Sequence, residues 1–81
     1  MQLDTKTIHI IDARRRLLDH EPHDISVWEQ DTGHIIEYKA ATYIGGHTRQ
    51  GSYRVRLANS GEIRQFCEIM LRKIDNLRVL M

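Results

Sequence analysis

The stretch SGEIRQFCEIMLRKIDNLRVLM, Ser60 to Met81, has two incompatible readings, and the fold class turns on the choice. With a period of 3.6, Ile63, Phe66, Cys67, Met70, Leu71, Ile74 and Leu77 form one apolar stripe, the pattern of an amphipathic helix over residues 60–75. With a period of two, Met70, Arg72 and Ile74 alternate with Leu71 and Lys73. Asp75 and Asn76 then suit a two-residue turn, because both tolerate left-handed angles, and Leu77, Val79 and Met81 alternate after it. The β reading places strands at about 68–74 and 77–81.

Upstream, the alternation is clearer. In SYRVRLA, Tyr53, Val55 and Leu57 share one face and Arg54 and Arg56 the other, which predicts a strand over about 52–58 ended by the turn Asn59–Gly61. HIIEYKAATYI predicts a strand over about 34–44, with Ile36, Tyr38, Ala40 and Ile44 on one face and Glu37, Lys39 and Tyr43 on the other. DISVWEQ predicts a strand over about 24–30, with Ile25 and Val27 opposed to Ser26 and Trp28; DTG turns it into the next strand. Ahead of Pro22, Ile10, Ala13 and Leu17 recur at helical spacing, and Asp12 is the expected N-cap of a helix over about 12–20. Residues before Ile8 are expected either to fray or, through TIHI, to add an edge strand.

The segments ARRRLL, PHDISVW and SGEIRQF, followed by two short apolar runs around Asp75 and Asn76, resemble a group of small uncharacterised proteins from gut Bacteroidetes and their phages or mobile elements. The resemblance spans Ile11 to Met81. In that group Asn-Gly stands where this chain has Asp75 and Asn76, which implies a closing hairpin, and it implies no activity. On this basis the β reading is preferred. The expected fold is mainly β: a single domain over residues 1–81, forming a small half-open antiparallel barrel of SH3 or OB kind with one N-terminal helix. The alternative is an α+β fold with a C-terminal helix over residues 60–75.

A chain of 81 residues buries only about 60–65% of its unfolded surface, too little for a deep catalytic cleft. Cys67 is the single cysteine and is expected to be buried; with no apolar run of signal-peptide or membrane-spanning kind, the expected setting is cytoplasmic, without membrane contact. The net charge of +1 hides an asymmetry. Residues 1–46 carry five Lys and Arg against eight Asp and Glu, whereas residues 47–81 carry seven against three. Local fields of this kind, more than the total, attract charged partners.

In GGHTRQG, Gly45 to Gly51, a strand follows the glycines where a phosphate-cradling loop would need a helix. Gly45 and Gly46 are therefore expected to mark a bulge or strand end, and Gly51 to supply positive φ in a hairpin loop. Arg54 and Arg56 project to one side, Arg49 hangs in the adjoining loop, and Trp28 and Tyr43 are placed on outward faces of neighbouring strands. Cations beside exposed rings suit single-stranded nucleic acid. The competing reading pairs Arg54 and Arg56 with Glu37 or Glu29 and buries Trp28 under the helix.

Arg14, Arg15 and Arg16 point in three directions around a helix and make no single patch, with Arg16 within reach of Asp12 or His20. His20 and His23, in HEPH, are weak metal candidates, since zinc needs three or four ligands; no metal and no cofactor is expected. No Ser, Cys or Thr is spaced from a histidine as an activated nucleophile would be, so no enzyme is expected. The function expected is a non-catalytic binding module contacting nucleic acid through Arg49, Arg54, Arg56, Trp28 and Tyr43. The alternative is a structural protein of phage or mobile-element origin that acts by homo-oligomerisation.

Overall fold

The computed structural model describes residues 6–81. Its elements run β1 (Thr7–His9), α1 (Ile10–Leu17), β2 (His23–Trp28), β3 (Ile35–Gly45), β4 (Ser52–Leu57), β5 (Ile63–Cys67), β6 (Leu71–Ile74) and β7 (Leu77–Leu80), with 3-10 turns at Thr48–Gln50 and Glu68–Met70. The strands form one mixed sheet in the order β1-β7-β6-β2-β3-β4-β5. β1 runs parallel to β7, and every other pair is antiparallel. The fold is mainly β with one helix. Its sheet is not closed by hydrogen bonds into a barrel, so β1 and β5 remain edges. The expectation for the segment before Ile8 resolves, from Thr7 on, to an edge strand; Met1 to Thr5 lie outside the described residues.

No helix forms over residues 60–75. Phe66 on β5 stacks on Tyr53 with ring centroids 5.6 Å apart, while Leu71 and Ile74 on β6 lie across from Val27 and Ile25. The apolar residues of the stripe thus reach two distant strands, a distribution that one helix face cannot make. Asp75 and Asn76 take φ of 50° and 66° and turn β6 into β7. The strand expected over 68–74 is instead a 3-10 turn followed by β6, and β5, a full strand, has no counterpart in the sequence reading.

The helix starts two residues earlier than expected and ends at Leu17 rather than His20. His9, not Asp12, is the N-cap: its Nδ1 accepts from the Ile11 amide at 3.2 Å. This start puts Ile10 on the buried face with Ala13 and Leu17. Leaving the helix lets Asp19 accept from the Glu21 amide at 2.7 Å, and His20 takes φ of 62°.

β3 holds the largest departure from strict alternation. Ile25 faces Tyr38, yet His23 faces Ala41, so β3 contains one extra residue. Ala40 supplies it, at φ 49°, and its amide donates to Asp24 Oδ1 at 2.9 Å. Beyond this bulge the faces swap. Ala41 is wholly buried and Tyr43 turns inward opposite Val55, instead of outward as expected. A second bulge between Tyr43 and Gly45 ends the strand. Gly46 then passes so close to β4 that a Cβ would lie 2.6 Å from the Ser52 carbonyl oxygen.

The core gathers Leu17 from α1, Ile25 and Val27 from β2, Tyr53 and Val55 from β4, and Ile74 from β6, each at most 2% exposed. Two ion pairs tie the helix to the far end of the chain. Arg14 grips Glu68 through Nε and Nη2, at 2.5 and 2.7 Å, and Arg16 reaches Asp75 at 3.3 Å. Arg15, not Arg16, lies nearest Asp12.

Candidate nucleic-acid interface

Arg54 and Arg56 stand exposed on the outer face of β4. Arg54 lies between Gly45 and Gln65, and Arg56 between Thr42 and Ile63. Neither meets an acid among the described residues, since Glu37 lies across from Ser26 on the other side of β3. Arg49 is exposed in the 3-10 turn Thr48–Gln50, which Gly51 closes at φ 73°. The expected aromatic partners are elsewhere. Tyr43 is part-buried, with its ring 6.0 Å from that of Tyr53 and 5.4 Å from that of His20. Trp28 lies on β2, separated from β4 by β3. The five residues singled out from the sequence therefore do not form one surface.

Trp28 has different cationic neighbours. It is 42% exposed rather than packed under the helix, and the Arg72 guanidinium carbon lies 5.6 Å from its ring centroid, within cation–π range. A bulge in the β2–β6 pairing, where Ser26 faces Lys73 but Val27 faces Leu71, leaves Arg72 as the extra residue beside the indole. Arg72 Nη1 donates to Ser26 Oγ at 3.3 Å, which satisfies a polar side chain only 2% exposed.

Lys73 and Arg78 sit directly opposite one another on β6 and β7. Like charges at that position are destabilising. Among the described residues no carboxylate lies within ion-pairing distance of Arg72, Lys73 or Arg78. Together with Trp28, Ile69 and Leu71 these three cations line a cleft of 570 Å³. Their signal in the sequence was the positive second half of the chain. The register that aligns them with Trp28 was not readable, because it depends on β6 pairing with β2.

His20 and His23 do not converge. His20 Nδ1 lies 3.1 Å from the Tyr43 carbonyl oxygen, whereas His23 is held between Asp75 Oδ2 at 2.6 Å and Asp19 Oδ1 at 3.0 Å. Carboxylates only accept, so both ring nitrogens serve as donors when the imidazole is protonated. Burial pulls the His23 pKa down, but the hydrogen bonds and charges of Asp19 and Asp75 outweigh it, and the net shift is upward. Among the described residues, no group of three or more His, Cys, Asp or Glu side chains is placed to hold a metal ion.

Cys67 is exposed, not buried, since β5 turns it to the outer face opposite Ser52. Glu68 accepts from Arg14 and from the Tyr53 hydroxyl, the latter at 2.7 Å. The Arg14 bonds hold the Glu68 carboxyl below its ordinary range, and burial pushes the Tyr53 phenol up to about 12. This triad is a clasp between helix, strand and 3-10 turn, with the Glu68 carboxylate shared by Arg14 and Tyr53.

No protein-family model, curated protein or solved structure matches the chain. The functional reading rests on its own residues.

Proposed function

We propose that the protein is a non-catalytic module that binds single-stranded nucleic acid across Trp28, Arg72, Lys73 and Arg78. One observation carries the reading: Lys73 and Arg78 are paired across two strands without a neutralising acid among the described residues, beside a half-exposed indole already in cation–π contact with Arg72. Like charges set side by side cost stability unless an anion fills the space between them. A phosphate backbone supplies that anion, and a base supplies the ring that stacks on Trp28. Arg49, Arg54 and Arg56 lie outside this surface and add a general positive field.

The shape supports the reading. The 3-10 turn Glu68–Met70 carries the chain from edge strand β5 to β6 in the middle of the sheet, a connection that suits the proposed small half-open barrel of SH3 or OB kind. No helix of the described residues is long and apolar enough to cross a membrane. The free thiol of Cys67 fits a reducing, cytoplasmic setting.

Titration with a short oligothymidylate at several salt concentrations tests the proposal. Three phosphate contacts give a log–log slope of about −2 for a single strand. Absence of binding at low salt, or affinity indifferent to salt, refutes it.

A second reading, self-association in a structure of phage or mobile-element origin, is favoured by the edge strand β5, whose Ile63 is 49% exposed, and by the exposed Leu80 and Met81 on β7 and beyond. Light scattering over a concentration series separates the two: a monomer throughout removes the second.

A further inference from the structure

Trp28 borders a second cleft, of 340 Å³, whose walls include Tyr38, Phe66 and Met70 and whose rim carries Glu29 and Gln65. We propose that this cleft receives a nucleobase, guanine before the others, from the strand whose phosphates meet Arg72, Lys73 and Arg78. The inference rests on the function proposed above and adds base selectivity to it.

Continuity with the cationic cleft is the first argument. Trp28 lines both spaces, so a nucleotide straddling it places its phosphate among the cations and its base in the second cleft against the exposed indole. The volume falls within the range of small-ligand sites, about 300–1,000 Å³. The exposed Trp28 ring accepts any base by stacking, so selectivity must come from the polar rim.

The acceptor at that rim is the Glu29 carboxylate. Glu29 sits at the root of the β2–β3 turn, where its amide donates to the His34 carbonyl at 2.7 Å and its carbonyl accepts from Gly33 at 2.8 Å. Its Oε1 accepts from the Thr32 hydroxyl, which orients the carboxylate and leaves Oε2 without a partner among the described residues. Gln65 turns its side chain to the outer face, where Nε2 donates to Ser52 Oγ at 2.9 Å, so Glu29 is the polar side chain that offers selectivity.

A carboxylate at the rim matches a base edge with adjacent donors. Guanine presents N1–H and the N2 amino group side by side, and a carboxylate can take both. Adenine and cytosine place one amino group beside an acceptor nitrogen. Thymine and uracil flank their single N–H with two carbonyl oxygens, which the carboxylate repels.

Trp28 is the only tryptophan, so its fluorescence reports directly on both clefts. The probes are a thymidylate hexamer and versions with one central residue replaced by deoxyguanosine, deoxyadenosine, deoxycytidine or an abasic site. The deoxyguanosine hexamer is expected to bind about tenfold more tightly than the parent and the abasic hexamer. In Glu29→Gln that preference is expected to fall below about threefold. Equal affinity across the series overturns the guanine cleft and leaves the phosphate-binding surface standing. A preference for adenine or cytosine, or a guanine preference undiminished in Glu29→Gln, overturns it as well. Failure of every hexamer to bind removes both this inference and the function beneath it.

Discussion

The Arg72 guanidinium lies 5.6 Å from the centre of the Trp28 ring while it also donates to Ser26. One side chain thereby fills a core hydrogen bond and orients the exposed indole. Arg72→Ala is expected to weaken oligothymidylate binding and to lower the salt slope by about 0.7, the share of one phosphate contact. Trp28→Ala, which removes stacking but no charge, is expected to lower affinity by about 1–3 kcal/mol with the slope unchanged. Equilibrium titrations of both variants over a salt series check the pair.

Arg54 and Arg56 lie on β4, separated by β3 from the strand that carries Trp28. The double substitution Arg54→Ala/Arg56→Ala is expected to cost less affinity than Lys73→Ala/Arg78→Ala, although both remove two charges. The reverse ranking would move the interface to the outer face of β4.

Stability should peak between the ordinary carboxylate range and neutrality. Glu68 titrates below its usual 4.5 because Arg14 bonds its charged form, and Asp19 below its usual 3.8 because the Glu21 amide does so. Both contributions are present above those values and are lost as pH falls through the lowered ones. His23 titrates above its usual 6.5, so its contribution is complete below 6.5 and is lost as pH rises through the raised value. Thermal melts across pH should show both limbs. His23→Gln is expected to remove the upper limb and spare the lower.

Ala40 holds φ of 49° without being glycine. Ala40→Gly is expected to raise stability by about 0.5–1 kcal/mol, because the left-handed angle costs a Cβ-bearing residue about 1–2 kcal/mol and glycine little. Gly46→Ala is the mirror experiment. With φ of 145° and a backbone oxygen 2.6 Å from the new Cβ, it is expected to destabilise by about 2 kcal/mol or more. Denaturant midpoints of the two variants should move in opposite directions.

The Tyr53 hydroxyl donates to Glu68, which also receives Arg14. Tyr53→Phe is expected to cost about 1.5 kcal/mol, since the lost bond ends on a charged acceptor. The change should be visible in chemical denaturation and leave oligonucleotide affinity unaltered, because the clasp lies inside the fold.

Local chemistry along the chain determined a good deal. The alternation of Tyr53, Val55 and Leu57 with Arg54 and Arg56 produced β4 with its faces as read, and the tolerance of Asp75 and Asn76 for left-handed angles produced the last turn. These features depend on a residue and its near neighbours, so a linear reading reaches them. The periodic stripe from Ile63 to Leu77 was equally local and misleading as a helix, because its members serve partners on β4 and β2 that sequence spacing does not reveal. Tertiary structure alone decided which side Tyr43 takes, through the extra residue at Ala40, and which cations meet Trp28, through the bulge at Arg72. A bulge forms when two strands satisfy each other's hydrogen bonds out of step, and one shifted residue reverses every face beyond it. The composition of the chain therefore announced basic and aromatic side chains, but the pairing of distant strands chose which of them share a surface.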